Sequence, residues 1–167
     1  MKTIFNLFTL FLMAVALASC SDDNDDVLAE SSLEVNYANV SGIWQLTSWN
    51  GDKMDADSRY YYISFDRSET NGERNYKIHT NLNSFVSQRI SGSFELSKNE
   101  DLADIISGVY HYTLDTNDAW AHRYAVVELS ETTMKWIALD DASEVRIYTR
   151  RAEIPADIVA GARVAVQ

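Results

Sequence analysis

From Val40 onward the chain is written in short runs where β-branched and aromatic residues alternate with polar ones, and turn-formers separate the runs. The first run is Gly42–Trp49, closed by Asn50-Gly51, a dipeptide that favours a tight hairpin turn. Tyr60–Phe65 follows. Asn75–Leu82 places Tyr76, Ile78, Thr80 and Leu82 in one phase and Lys77, His79 and Asn81 in the other. Ser91–Leu96 sets Phe94 and Leu96 against Ser93 and Glu95, and Ser107–Leu114 carries Tyr110, Tyr112 and Leu114 together. Arg123–Leu129, Thr133–Leu139 and Glu144–Arg150 complete the series, linked through Ser130-Glu131-Thr132 and Asp140–Ser143. Side chains in a strand point to opposite faces in turn, so each run predicts a strand with one buried face.

Eight strands at near-regular spacing leave no room for the helical crossovers that parallel neighbours need. The pattern therefore predicts an all-β fold: an eight-stranded antiparallel up-and-down β-barrel over residues 39–152. Eight is the number that closes a small barrel, and closure removes exposed sheet edges. The chain's single proline, Pro155, falls beyond the last run, so every strand keeps its ladder donors. Residues 153–167 read as a tail or as a short helix with Pro155 at its first position and Ile158, Val159 and Val164 packed on the barrel wall.

The N-terminus has a different texture. Lys2 precedes an apolar run, Ile4–Ala18, interrupted by Asn6 and Thr9 and ending in the small residues Ala18-Ser19. Residues 1–19 read as a secretory signal, too short for a comfortable membrane span. Cys20 comes next and is the chain's one cysteine, so it cannot form an internal disulfide. Leu17-Ala18-Ser19-Cys20 resembles a bacterial lipobox, which implies cleavage before Cys20 and lipidation of its thiol. Each buried methylene contributes about 0.8 kcal/mol, so an anchor with more than one acyl chain holds almost permanently. Ser21-Asp22-Asp23-Asn24-Asp25-Asp26 resembles the signal that sends some Gram-negative lipoproteins to the outer face of the outer membrane. The expected partner of this end is thus the membrane, and the expected location is the cell envelope, on the outer membrane and surface-exposed. Residues 20–38, acidic and without large apolar side chains at their start, predict a self-repelling tether. The formal charge of −11, or −12 once Lys2 is lost, disfavours nucleic acid and anionic surfaces.

Ser41-Gly42-Ile43-Trp44-Gln45-Leu46 places a Gly-x-Trp at the start of the first strand. This resembles the first signature of lipocalins and of lipocalin-like bacterial domains, and Gly92–Leu96 and Leu129–Met134 resemble strand-turn segments of small lipoproteins of that kind. The resemblance runs from about Val40 to Arg151 and implies a calycin-type barrel. It implies that Trp44 plugs the closed end and that an arginine late in the last strand stacks on it. Arg150 is the choice over Arg146, because it lies nearer the strand end. A guanidinium over an indole gains about 1–2 kcal/mol when shielded from water.

Catalytic signatures are missing. His79, His111 and His122 fall on separate runs, without the spacing of a zinc site. Asp52, Asp55 and Asp57, and likewise Asp115 and Asp118, cluster in loops, but neither group meets the glycine and glutamate requirements of an EF-hand. There is no Gly-x-Ser-x-Gly and no phosphate loop. The expectation is a non-enzyme, with no metal and no cofactor, acting as a monomer. Two functions remain open. One is a small apolar or amphipathic ligand in the barrel mouth, which needs unfilled interior space. The other is a partner protein or glycan bound by the outer wall or loops of a filled barrel. Alternation sends one of Tyr61 and Tyr62 outward, where with Trp49 it could form an aromatic platform.

Overall fold

The computed structural model describes residues 31–111 and 117–163. The expectations for the signal segment 1–19, for Cys20 and the acidic tract after it, for Tyr112, Leu114 and Asp115, and for Val164 fall outside the described residues.

The chain enters through α1 (Tyr37–Val40), a single turn whose N-cap, Asn36, accepts a hydrogen bond from the Asn39 amide at 2.9 Å. It continues through β1 (Gly42–Trp49), β2 (Asp52–Lys53), β3 (Tyr61–Thr70), β4 (Glu73–Thr80), β5 (Gln88–Lys98) and β6 (Asp104–His111). Then come β7 (Asn117–Ala119), β8 (Tyr124–Leu129), β9 (Thr133–Ala138), β10 (Val145–Arg151) and α2 (Ala156–Val159). Every pairing is antiparallel, and β10 returns to β1, so β1, β3, β4, β5, β6, β8, β9 and β10 close an eight-stranded barrel. The two short strands, β2 and β7, are additions that pair only with β1 and β6.

Register decides what lies inside. Trp44 stands opposite Ile63, Ile63 opposite Ile78, and Ile78 opposite Ile90. On the other side Leu46 meets Tyr148, Tyr148 meets Met134, and Trp136 lies between Val126 and Arg146. Trp44, Ile63, Phe65, Tyr76, Phe94, Trp136 and Tyr148 are all 5% exposed or less and form one continuous core. Each such side chain contributes about 1.5–3 kcal/mol over its exposed state.

The barrel has one short seam: β6 pairs β8 only at Ile105–Ala125 and Ile106–Tyr124. Above it β7 folds back on β6, and Trp120 drops its ring onto Gly108, where a Cβ would lie 2.5 Å from the indole. Trp120 then stacks near Trp136, with centroids 5.8 Å apart, and donates to the Tyr76 hydroxyl at 2.8 Å.

Four expectations need correction. The strand read as Tyr60–Phe65 runs on to Thr70, because β3 and β4 continue as a solvent-exposed hairpin past the point where apolar alternation ends. Asn71 and Gly72 turn it with φ of 56° and 84°, a turn that needs no buried face. The tether does not extend to residue 38. Leu33, Val35 and Tyr37 pack on the core, and the Leu33 amide donates to the Leu129 carbonyl at 2.8 Å. Finally, no aromatic platform forms. Tyr61 points inward and Tyr62 outward, but Tyr62 is only 3% exposed, because α2 lies across it and buries Ile158 completely against Tyr60, Tyr62 and Ile43. Pro155 sits at the N-cap of α2 rather than at its first helical position. Arg89 holds the helix by donating to the Val159 carbonyl at 2.8 Å.

Candidate functional site

The two ends of the barrel are built differently. At one end α1 crosses the opening and Trp44 is fully buried beneath it, its indole N–H donating to the Val40 carbonyl at 2.7 Å. The structure brings Arg150 to the same place: its guanidinium carbon lies 4.1 Å from the centre of the Trp44 ring. Its three nitrogens donate to the backbone carbonyls of Glu131 (2.8 Å), Ser41 (2.7 Å) and Asn39 (2.5 Å), tying the β8–β9 turn to the entry of β1. Gly42 explains itself here. It has φ of +120°, and a Cβ would sit 2.8 Å from an Arg150 nitrogen. Gly42→Ala therefore combines backbone strain with a displaced guanidinium and is expected to lose about 2–3 kcal/mol, read as a lower melting temperature by circular dichroism.

The opposite end is less filled. A chamber of about 140 Å3 lies among Leu46, Tyr61, Ile78, Ile90, Tyr110 and Arg146, rimmed by Leu82 from the β4–β5 loop. A second chamber of about 40 Å3 adjoins it, sharing Tyr61, Tyr110 and Arg146 and reaching Trp120, Tyr124 and Trp136. Glu144, Arg146 and Tyr148 form an inward line at and beyond the start of β10, because residues two apart face the same way. Arg146 Nε donates to Glu144 at 2.7 Å, and its guanidinium carbon lies 5.2 Å from the Trp49 ring and 5.0 Å from the Tyr124 ring. Glu144 also accepts from Trp49 Nε1 at 2.8 Å and Asn50 Nδ2 at 3.1 Å.

These contacts set the charges. Burial works against ionised Glu144, but hydrogen bonds from Trp49 and Arg146 outweigh it and hold the carboxyl below its ordinary range. Burial likewise works against the Arg146 cation, yet Tyr148, Tyr124, Tyr61 and Glu144 around it leave the guanidinium more firmly protonated than usual. Burial pushes the Tyr148 hydroxyl up to about 12 and raises Tyr124 and Tyr61 as well, so all three remain neutral donors.

A third concavity, about 500 Å3 and open to solvent, lies between the β3–β4 hairpin at Glu69 and Arg74, Tyr37 of α1, and the Phe94 and Gly108 positions of β5 and β6. Trp120 separates it from the inner chambers, lining both.

The remaining sequence candidates do not converge. His79 faces outward on β4, His111 lies 3.2 Å from the Ser93 hydroxyl, and His122 pairs with Asp140 at 2.8 Å. Asp55 is taken up by its own turn, accepting from the Asp57 and Ser58 amides, and Asp141 does the same for Ser143. Among the described residues no group of three His, Cys, Asp or Glu side chains is placed to hold a metal ion. The pair that sequence reasoning missed is Glu144 with Arg146. The signal was present: Arg146 shares the phase of Tyr148, so a cation on the inner face of the last strand followed from alternation alone.

Among curated proteins none matches this chain. Residues 40–136, more than half of the 167, match the family described as the lipocalin-like domain, and the match covers the Gly-x-Trp entry, every strand through β8 and the first part of β9. With the closed eight-stranded antiparallel barrel in place, this protein belongs to the lipocalin-like domain family.

Proposed function

We propose that this is a non-enzymatic, lipid-anchored lipoprotein of the cell envelope that holds a small apolar or amphipathic ligand in the mouth of its barrel. The observation that carries the ligand reading is the contrast between the two ends: side chains fill the Trp44 end, whereas chambers of about 140 and 40 Å3 remain at the other. A cavity of about 150 Å3 holds a benzene-sized molecule. The ligand is therefore ring-sized, smaller than the drug-sized molecules that fill pockets of about 300 Å3 and more. Native mass spectrometry of the purified protein should find a small bound molecule or show uptake of an added one. Ile90→Trp, which fills the larger chamber, should abolish it. Binding that survives Ile90→Trp would move the ligand elsewhere, and a clean apo mass under all conditions would count against the reading.

The anchor reading rests on Leu17–Cys20 and the acidic tract after it. Cys20→Ser should shift the protein from the membrane fraction to the soluble fraction and remove labelling by radioactive palmitate. Protease treatment of intact cells should degrade the domain if it faces outward, and protection would place it on the inner leaflet. A second reading, a partner protein or glycan bound on the outer surface, is favoured by the open cleft of about 500 Å3 beside Tyr37 and Trp120. Such a partner would bind the Ile90→Trp variant unchanged.

A further inference from the structure

We propose that the ligand of the mouth carries a carboxylate, and that Arg146 receives it. The inference rests on the mouth reading above and adds the charge of the ligand. Among the described residues Arg146 is the one charged side chain lining either chamber, and it lines both. Glu144, its acidic partner, lines neither; it engages Nε and orients the guanidinium plane from behind, together with Trp49 and Asn50. A guanidinium has five N–H donors in a fixed fork, so with Nε on Glu144 and Tyr148 close beside the group, its two terminal nitrogens carry the other four. That fork matches the two oxygens of a carboxylate.

The rest of the lining agrees. It supplies donors: the Tyr61 hydroxyl, held neutral by burial, and the side-chain amides of Asn83 and Gln88, while the Tyr124 hydroxyl is directed at Glu144 Oε1 at 3.5 Å. Trp136 adds an indole N–H that is buried and has no hydrogen-bond partner, on a residue 1% exposed that borders the smaller chamber. A buried donor without an acceptor is costly, and an indole has no second role to fall back on. Among the described residues no carboxylate lines either chamber, so a bound molecule can supply the acceptor that the Trp136 N–H lacks. Leu46, Ile78, Leu82 and Ile90 provide the apolar wall for the body of the same molecule. A ring-sized monocarboxylate fits both halves.

The overall negative charge of the protein would by itself repel such a ligand. Selectivity must therefore come from the local cation, and the probe can isolate it. Titration calorimetry of the full-length protein with benzoate, benzamide and benzylamine varies only the head group on one ring. The expected order is benzoate first, at least tenfold over benzamide, with benzylamine unbound. Arg146→Gln should erase the tenfold preference, and Arg146→Lys should retain part of it. Equal affinity for benzoate and benzamide would overturn the carboxylate assignment while leaving a mouth-bound ligand in place. Binding of none of the three would overturn the assignment together with the mouth reading it rests on. The comparison of head groups on the unaltered protein does not depend on whether either variant folds.

Discussion

Glu144→Gln lowers the stability of the protein by about 3 kcal/mol, near the lower end of the 3–5 kcal/mol typical of breaking a buried ion pair. The substitution keeps shape and size but leaves the Arg146 cation facing its three tyrosines with no opposing charge. The loss falls at the low end because the Arg146 side chain retains 19% of its exposure, so water offsets part of it. For a domain of this size the melting temperature falls by about 10 °C. Replacing both partners, Glu144→Leu with Arg146→Met, removes the stranded charge and should recover much of the loss, since a buried pair is often no better than an apolar one. Thermal melts of the two single variants and the double variant test this, and an additive double variant would show that the two side chains do not act as a pair.

The same pair gives the protein an acid-sensitive end. The folded-state pKa of Glu144 is depressed, so its contribution is complete above the unfolded glutamate value of 4.5 and is lost as pH falls through the lower folded value. Melting temperatures should therefore drop more steeply below about pH 4.5 in the unaltered protein than in Glu144→Gln. Parallel curves would mean that other carboxylates carry the acid response.

Alternation made the fold legible because each strand of a closed barrel has one wet and one dry face. It read the phase of Tyr61 and Tyr62 without identifying which faced in, since both faces of β3 are covered there: the inner by the core, the outer by α2. Phase also carries no depth along the barrel. Arg146 and Arg150 lie on one inward line of β10, yet one faces the open chambers and the other the Trp44 floor. The choice of Arg150 for Trp44 came from counting residues to the strand end. Nothing comparable pointed to Glu144 as the partner of Arg146, because that contact also needs Trp49 and Asn50 from the far end of β1. β2 and β7 were not visible, being two and three residues long and mostly polar. Leu33, Val35 and Tyr37 alternate as well, but the acidic run before them disguised a segment that packs.

Trp44→Ala is the larger test of the closed end, with an expected loss of about 3–5 kcal/mol from the cavity alone. The residue is fully buried, and its removal also leaves the Val40 carbonyl without its donor and Arg150 without the ring beneath it. Collapse cannot refill the space easily, because the three carbonyls bound by Arg150 fix the guanidinium from the other side. Trp44→Phe keeps most of the volume and should lose about half as much. Arg150→Lys keeps the charge but not the fork, so it releases the Glu131 turn from β1 and should lose about 1–3 kcal/mol. Denaturant melts resolve the three. Trp44 lines neither mouth chamber, so Trp44→Ala at a temperature where it remains folded should bind a mouth ligand as the unaltered protein does. Loss of binding in a folded Trp44→Ala protein would show that the two ends are coupled through the shared core of Phe65, Trp136 and Tyr148, and the division between a structural floor and a binding mouth would fail.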